Sequence, residues 1–256
     1  DGAEAFRRAL AIARDAHALD VAARATMHLG VLELRRGDFG AAHDACRDAL
    51  RLYTTLRNNT NRLAALYNLA NVERERGDAE AALALYLETA ALAGQLGVAD
   101  ISIGAHAGAG LSALRLDDLA GARASLELAE RALGGRTDWW FQGRELLESL
   151  VVRLAAHDGR ARVARRRFHS AIARLELMDA YAAAWMVADC AASLAEGDDG
   201  IWRVVERYTP QVVERELVPL AARFTALRDL AERPTGGRNQ IPPSVLSRLA
   251  TPSTAR

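Results

Sequence analysis

The stretch 67–90, YNLANVERERGDAEAALALYLETA, reads as a helix, a turn at Gly77 and Asp78, and a second helix. Leu66, Leu69, Ala70 and Val72 lie on one side of the first helix, while Ala81, Ala82, Leu85, Thr89 and Leu92 recur at three- and four-residue steps in the second. Two apolar stripes therefore face one another across a tight turn. Such a hairpin keeps apolar surface on its other faces, so it needs copies of itself on either side.

The chain supplies those copies. Gly37-Asp38, Gly77-Asp78, Asp117-Asp118 and Asp158-Gly159 recur at steps of about forty residues, a period typical of helical repeats. Ala42, Ala82, Ala122 and Ala164 each follow five residues after Gly37, Gly77, Asp117 and Gly159. Ala49, Thr89, Ala129 and Ala171 come further on, and Gly30, Ala70, Gly110 and Val152 stand seven residues before the same turn positions. Small side chains at these three points allow the helices of a hairpin to approach closely.

In this respect the chain resembles the tetratricopeptide repeat family. Its pattern stands as Leu29-Gly30 with Gly37-Asp38-Phe39 and Ala42, then as Leu69-Ala70 with Gly77-Asp78-Ala79 and Ala82. A third copy is Ala109-Gly110 with Asp117-Asp118-Leu119 and Ala122; the fourth, Val151-Val152 with Gly159 and Ala164, is degenerate. These repeats exceed the family's usual 34 residues by about six, which lengthens the helices by roughly one and two-thirds turns. Long repeats of this kind resemble the arrays in large bacterial transcriptional regulators and signalling ATPases. The resemblance implies an all-α fold, a right-handed α-solenoid of helix-turn-helix hairpins.

It also implies a binding surface, because the first helix of each hairpin lines the concave side in this family. That places Tyr67, Asn68, Asn71, Arg74 and Glu75 there in the second repeat, Met27, His28 and Val31 in the first, and Leu111 and Arg115 in the third. The expected partner is a protein or peptide segment. Asn68 and Asn71 would bond its backbone, since an amide both donates and accepts. Tyr67, Arg74 and Arg115 would add hydrogen bonds, and Met27, Val31 and Leu111 apolar pockets.

Punctuation divides the rest. We read 1–19 as the second helix of a truncated repeat, 20–57, 58–97 and 98–135 as repeats, and 136–178 as the degenerate fourth. A fifth, 179–208, keeps only the helical period and a GDDG turn; a terminal helix at 209–232 and a mobile tail at 233–256 follow. Asp20 is the expected cap of the helix over 21–36, and Thr137 or Asp138 that of a helix opening with Trp139, Trp140 and Phe141. Pro210 belongs in the first turn of the terminal helix, and Pro219 should kink or split it. The opening DGAEAFRRALAIA lacks an initiator Met and suggests a piece of a larger protein.

Composition sets further bounds. All 33 basic residues are arginine, balanced by 33 acidic ones, so net charge is zero and a general polyanion surface is not implied. The cluster Arg160, Arg162, Arg165, Arg166 and Arg167 spreads around its helix as a solvated face does, so nucleic acid is not the expected partner. The glycine-rich run 104–110 lacks the Lys-Ser/Thr of a phosphate loop and reads as close helix packing, with His106 structural. The six histidines show no metal spacing, and no nucleophile elbow stands out, so neither an enzyme, a metal nor a cofactor is expected. Cys46 and Cys190 fit buried free thiols in a reducing cytoplasm, and no apolar run reaches the ~20 residues that span a bilayer. The function that follows is a non-catalytic scaffold; the alternative is a sensory or regulatory segment of a multidomain transcriptional regulator or signalling ATPase.

Overall fold

The computed structural model describes residues 2–136, 138–194, 199–214 and 217–231. Among them are twelve α-helices and no strand, so the fold is all-α. The first seven are α1 (Gly2–Asp15), α2 (Leu19–Arg36), α3 (Phe39–Thr55), α4 (Asn59–Arg76), α5 (Ala79–Leu96), α6 (Ala99–Arg115) and α7 (Leu119–Leu133). Then come α8 (Arg144–His157), α9 (Ala161–Met178), α10 (Ala180–Leu194), α11 (Asp199–Glu214) and α12 (Val218–Ala231).

The turn residues stop one helix and start the next. Gly37 and Gly77 end α2 and α4 in the left-handed region, at φ 84° and 87°. There a side chain would strain the backbone, and the freed N–H groups return to carbonyls of the last turn. Asp38 and Asp78 then cap α3 and α5, each side chain accepting from the backbone N–H three residues on, at 2.9 Å. In the third turn Asp117 takes the left-handed position itself, at φ 58°, and Asp118 caps α7.

Packing follows the small residues. Ala42, Ala82, Ala122 and Ala164 are fully buried, and a Cβ on Gly30 would stand 2.7 Å from Cys46 Sγ. The glycine-rich stretch of α6 has the same cause. A Cβ on Gly104 would meet the Tyr67 hydroxyl, one on Gly108 would fall within the Tyr86 ring, and one on Gly110 would lie 2.5 Å from Leu150 Cδ2. These are close helix contacts, as the sequence suggests.

Each helix from α1 to α7 packs on the next, and the even-numbered helices form a second circuit of neighbours. α4 lies between α2 and α6, α6 meets α8, α8 meets α10, and α10 meets α12. α12 then returns to α2. Val218 and Pro219 at its start sit against the Gly37 turn. The resemblance implies an open inner side on α2, α4 and α6; here α10 and α12 cover the part of it around Glu75.

Several boundaries differ from the sequence reading. Ala18, not Asp20, precedes α2, and Asp20 lies in its first turn. Residues 138–143 are not helical; α8 starts at Arg144 behind Gly143 in the left-handed region. Arg144 lies over the Trp139 and Phe141 rings at 4.8 and 5.2 Å, which fixes that segment by cation–π contact and leaves both tryptophans half-buried. Pro210 lies inside α11, and the terminal helix is two: α11 runs on to Glu214, and Pro219 occupies the first turn of α12, where a missing N–H costs nothing. The tail, the first two residues of the GDDG stretch and Thr137 lie outside the described residues, and the last two, Asp199 and Gly200, open α11. Both cysteines are buried and free, and burial pushes the Cys46 thiol up to about 12. No helix among the described residues is long and apolar enough to cross a membrane.

Candidate functional site

The inner face of α4 carries a dense buried polar network among the described residues. Helical spacing puts Tyr67, Asn71, Arg74 and Glu75 on one side of it, and all but Asn71 are buried. Arg74 donates through Nε and one terminal nitrogen to Glu75 Oε1, at 3.1 and 3.0 Å. Its other terminal nitrogen donates to Asn71 Oδ1 and Tyr86 Oη, at 3.2 and 2.9 Å. Tyr86, from α5, donates to Asn71 Oδ1 at 2.6 Å. Arg115, from α6, donates to the Arg74 carbonyl at 2.6 Å.

The C-terminal helices complete this network. Trp185 of α10 donates its indole N–H to Glu75 Oε1 at 3.0 Å, and its ring lies 4.5 Å beneath the Arg74 guanidinium. Arg223 of α12 donates to Glu75 Oε2 at 2.7 Å across 148 residues of sequence. Arg153 of α8 and Asp189 of α10 pair at 3.4 Å nearby. Glu75 thus accepts from four donors on three side chains, from α4, α10 and α12.

Electrostatics follow from burial and charge. Burial alone would raise the Glu75 carboxyl; the guanidiniums of Arg223, Arg74 and Arg115 and the Trp185 N–H overcome that and hold it well below the usual carboxylate range. Burial and the neighbouring Arg223 bring Arg115 down to about 10, against the pull of Asp189 and Glu75. Tyr86 is raised to about 12, chiefly by burial. Glu145 at the start of α8 is raised as well, again chiefly by burial, with Asp179 adding to it.

The residues expected to form an open groove separate into two groups. Tyr67, Asn71, Arg74 and Arg115 are brought together, but inside the molecule, where the chain's own groups bond them. Tyr67 is buried edge-on to Tyr86, its hydroxyl between Gly104 and Gly143, and Leu111 is buried in the same core. The Asn71 oxygen is taken by Arg74 and Tyr86, so it is engaged within the chain itself. Asn68 is half-buried. Met27 and Val31, also half-buried, and the exposed His28, stacked on Phe6 at 5.1 Å, stand apart from the network.

Tyr86, Trp185, Asp189, Arg153 and Arg223 are site residues that the sequence reading missed. A signal was present for two of them. Arg223 interrupts the apolar stripe Leu220, Phe224, Leu227, and Asp189 interrupts the apolar run of α10. A charge at a core position needs a partner. The arginine-rich segment of α9 holds no comparable site: Arg160 pairs with Asp158, Arg167 with Glu148, and Arg165 donates to the Leu194 carbonyl.

No model of a known protein family matches the chain, and a search of curated proteins finds no significant relative.

Proposed function

We propose that this chain is a non-catalytic interaction module, a right-handed array of tetratricopeptide-like hairpins that takes a protein or peptide segment on the inner side of α2, α4 and α6. The observation that carries this reading is the seating of α12: the polar wall around Glu75 already receives a helix 148 residues distant in sequence. A wall that seats one helix has the shape and donor set to seat another. A display selection of random peptides against the intact chain tests this. Selected binders are expected to lose at least tenfold in affinity on Asn68→Ala, and to be unaffected by Leu87→Ala on the exposed side of α5. Binders that respond only to Leu87→Ala would overturn the reading.

The self-covered inner wall favours one second reading, a regulatory segment of a larger transcriptional regulator or signalling ATPase, whose closed form holds attached domains inactive. The full reading frame tests it: a helix-turn-helix or phosphate loop supports this reading, and the lack of both removes it.

A further inference from the structure

We infer that α12 is a built-in competitor, and that the seat it occupies is a receptor for a partner helix bearing one arginine within its apolar stripe. The inference rests on the interaction role proposed above and specifies its ligand.

α12 buries Pro219, Leu220, Arg223, Phe224, Leu227 and Leu230 on one face and exposes Ala222, Thr225, Arg228 and Asp229 on the other. That is the pattern of a helix lying in a groove, with anchors at three- and four-residue steps. Its neighbours among the described elements are α10, α11 and α2, and its one charged anchor reaches Glu75 of α4. The seat is therefore part apolar and part acidic. Glu75 is buried, and it accepts from Arg74 and Trp185 through Oε1 and from Arg223 through Oε2. Removing α12 leaves Oε2 facing the vacated seat, where a guanidinium satisfies it best, because the fork donates with fixed geometry. A helix with the spacing apolar-x-x-Arg-apolar-x-x-apolar reproduces Leu220, Arg223, Phe224 and Leu227 and fits the same seat. The internal copy masks it until such a helix arrives, which makes apparent affinity depend on how often α12 leaves.

A labelled peptide with the sequence of residues 218–231 tests this on the full chain. It should bind the Arg223→Ala chain at least tenfold more tightly than the wild type, whose own α12 holds the seat. Binding should fall at least tenfold when the peptide carries Arg223→Ala, or when the chain carries Glu75→Gln as well. Equal binding to every form, or binding to none, overturns the proposal. Should Arg223→Ala fail to fold, hydrogen exchange on the wild type decides. Amides of α12 should exchange as a unit, at least tenfold faster than those of α4 and α6, and equal protection would overturn the inference. The selected peptides of the preceding section separate the two ideas. Inner-face binders that lack the arginine spacing leave the interaction role standing and remove this one.

Discussion

Glu75→Gln is the most informative single change in this molecule. The substitution keeps the side chain's size and removes its charge, leaving Arg74 and Arg223 buried against a neutral amide. The carboxylate accepts four hydrogen bonds, two from Arg74 and one each from Trp185 and Arg223. Removing one partner of a buried ion pair costs about 3–5 kcal/mol; glutamine keeps one acceptor oxygen, so we expect the lower end, about 3 kcal/mol. In a chain of this size each kcal/mol moves Tm by roughly 2–4 °C, so the variant should melt about 6–12 °C lower by far-UV circular dichroism. Arg223→Met removes the other end of the contact and should couple to it. The double variant should cost at least about 1 kcal/mol less than the two single losses summed, as contacting residues do. The pH dependence gives an independent reading. The folded pKa of Glu75 is depressed, so its contribution is complete above the ordinary glutamate value, about 4.3, and is lost as pH falls through the folded value. The gap in Tm between wild type and Glu75→Gln should therefore narrow from pH 4.5 downward. A variant melting within about 1 °C of the parent, or strict additivity with Arg223→Met, would refute the network as drawn.

Four further outcomes follow from the same packing. Gly108→Ala gains about 1 kcal/mol of helix propensity but drives a methyl into the Tyr86 ring, at an overpacking cost of up to about 3 kcal/mol, so it should destabilise by about 2. Gly94→Ala in α5, which meets nothing within 4 Å, should instead stabilise by up to about 1 kcal/mol, and urea titration of both variants distinguishes packing from propensity. Glu145→Gln should raise Tm at pH 7, because a carboxyl with a raised folded pKa costs stability while ionised and stops doing so as pH falls through that value; the gain should vanish by about pH 4, and a gain that persists there contradicts it. Cys46 and Cys190 should resist an aromatic disulfide reagent in the native state and react only on unfolding, since both thiols are buried and pushed up; rapid native labelling of either contradicts their placement.

Local signals in this chain carried the hairpins and not their closure. Gly77 and Asp78 announce the turn because left-handed backbone and an N-cap oxygen are each satisfied by a residue recognisable on sight. The same holds for the small residues at the hairpin contacts, whose spacing is written into the sequence. Helix-start signals misled at Asp20 and Asp138, because a capping residue type is common where tertiary contact sets the boundary. In the second case Arg144, stacked on Trp139 and Phe141, holds residues 138–143 out of the helix. Convergence was legible by position: Tyr67, Asn71, Arg74 and Arg115 do come together, inside the molecule. Their occupant was not, because a contact between Glu75 and Arg223 spans 148 residues and leaves no periodic trace. Only the misfit of Arg223 within its own apolar stripe hinted that an acidic partner waited elsewhere.

That misfit also bears on why the inner wall is charged at all. Well-packed apolar side chains in place of a buried ion pair are often neutral or stabilising, so stability alone does not account for Glu75 and Arg223. Register does. An α12 with Leu220, Phe224 and Leu227 alone would slide by a turn at little cost, because one leucine fills a groove much as another does. With Arg223 in the stripe, any other register leaves a guanidinium and a carboxylate buried apart, each at the cost of an unpaired charge. The pairing therefore selects one seating of α12 against the Gly37 turn and α10. What it selects is a charge at a given place in an apolar stripe and not a covalent neighbour, which is the physical basis of the partner helix inferred above.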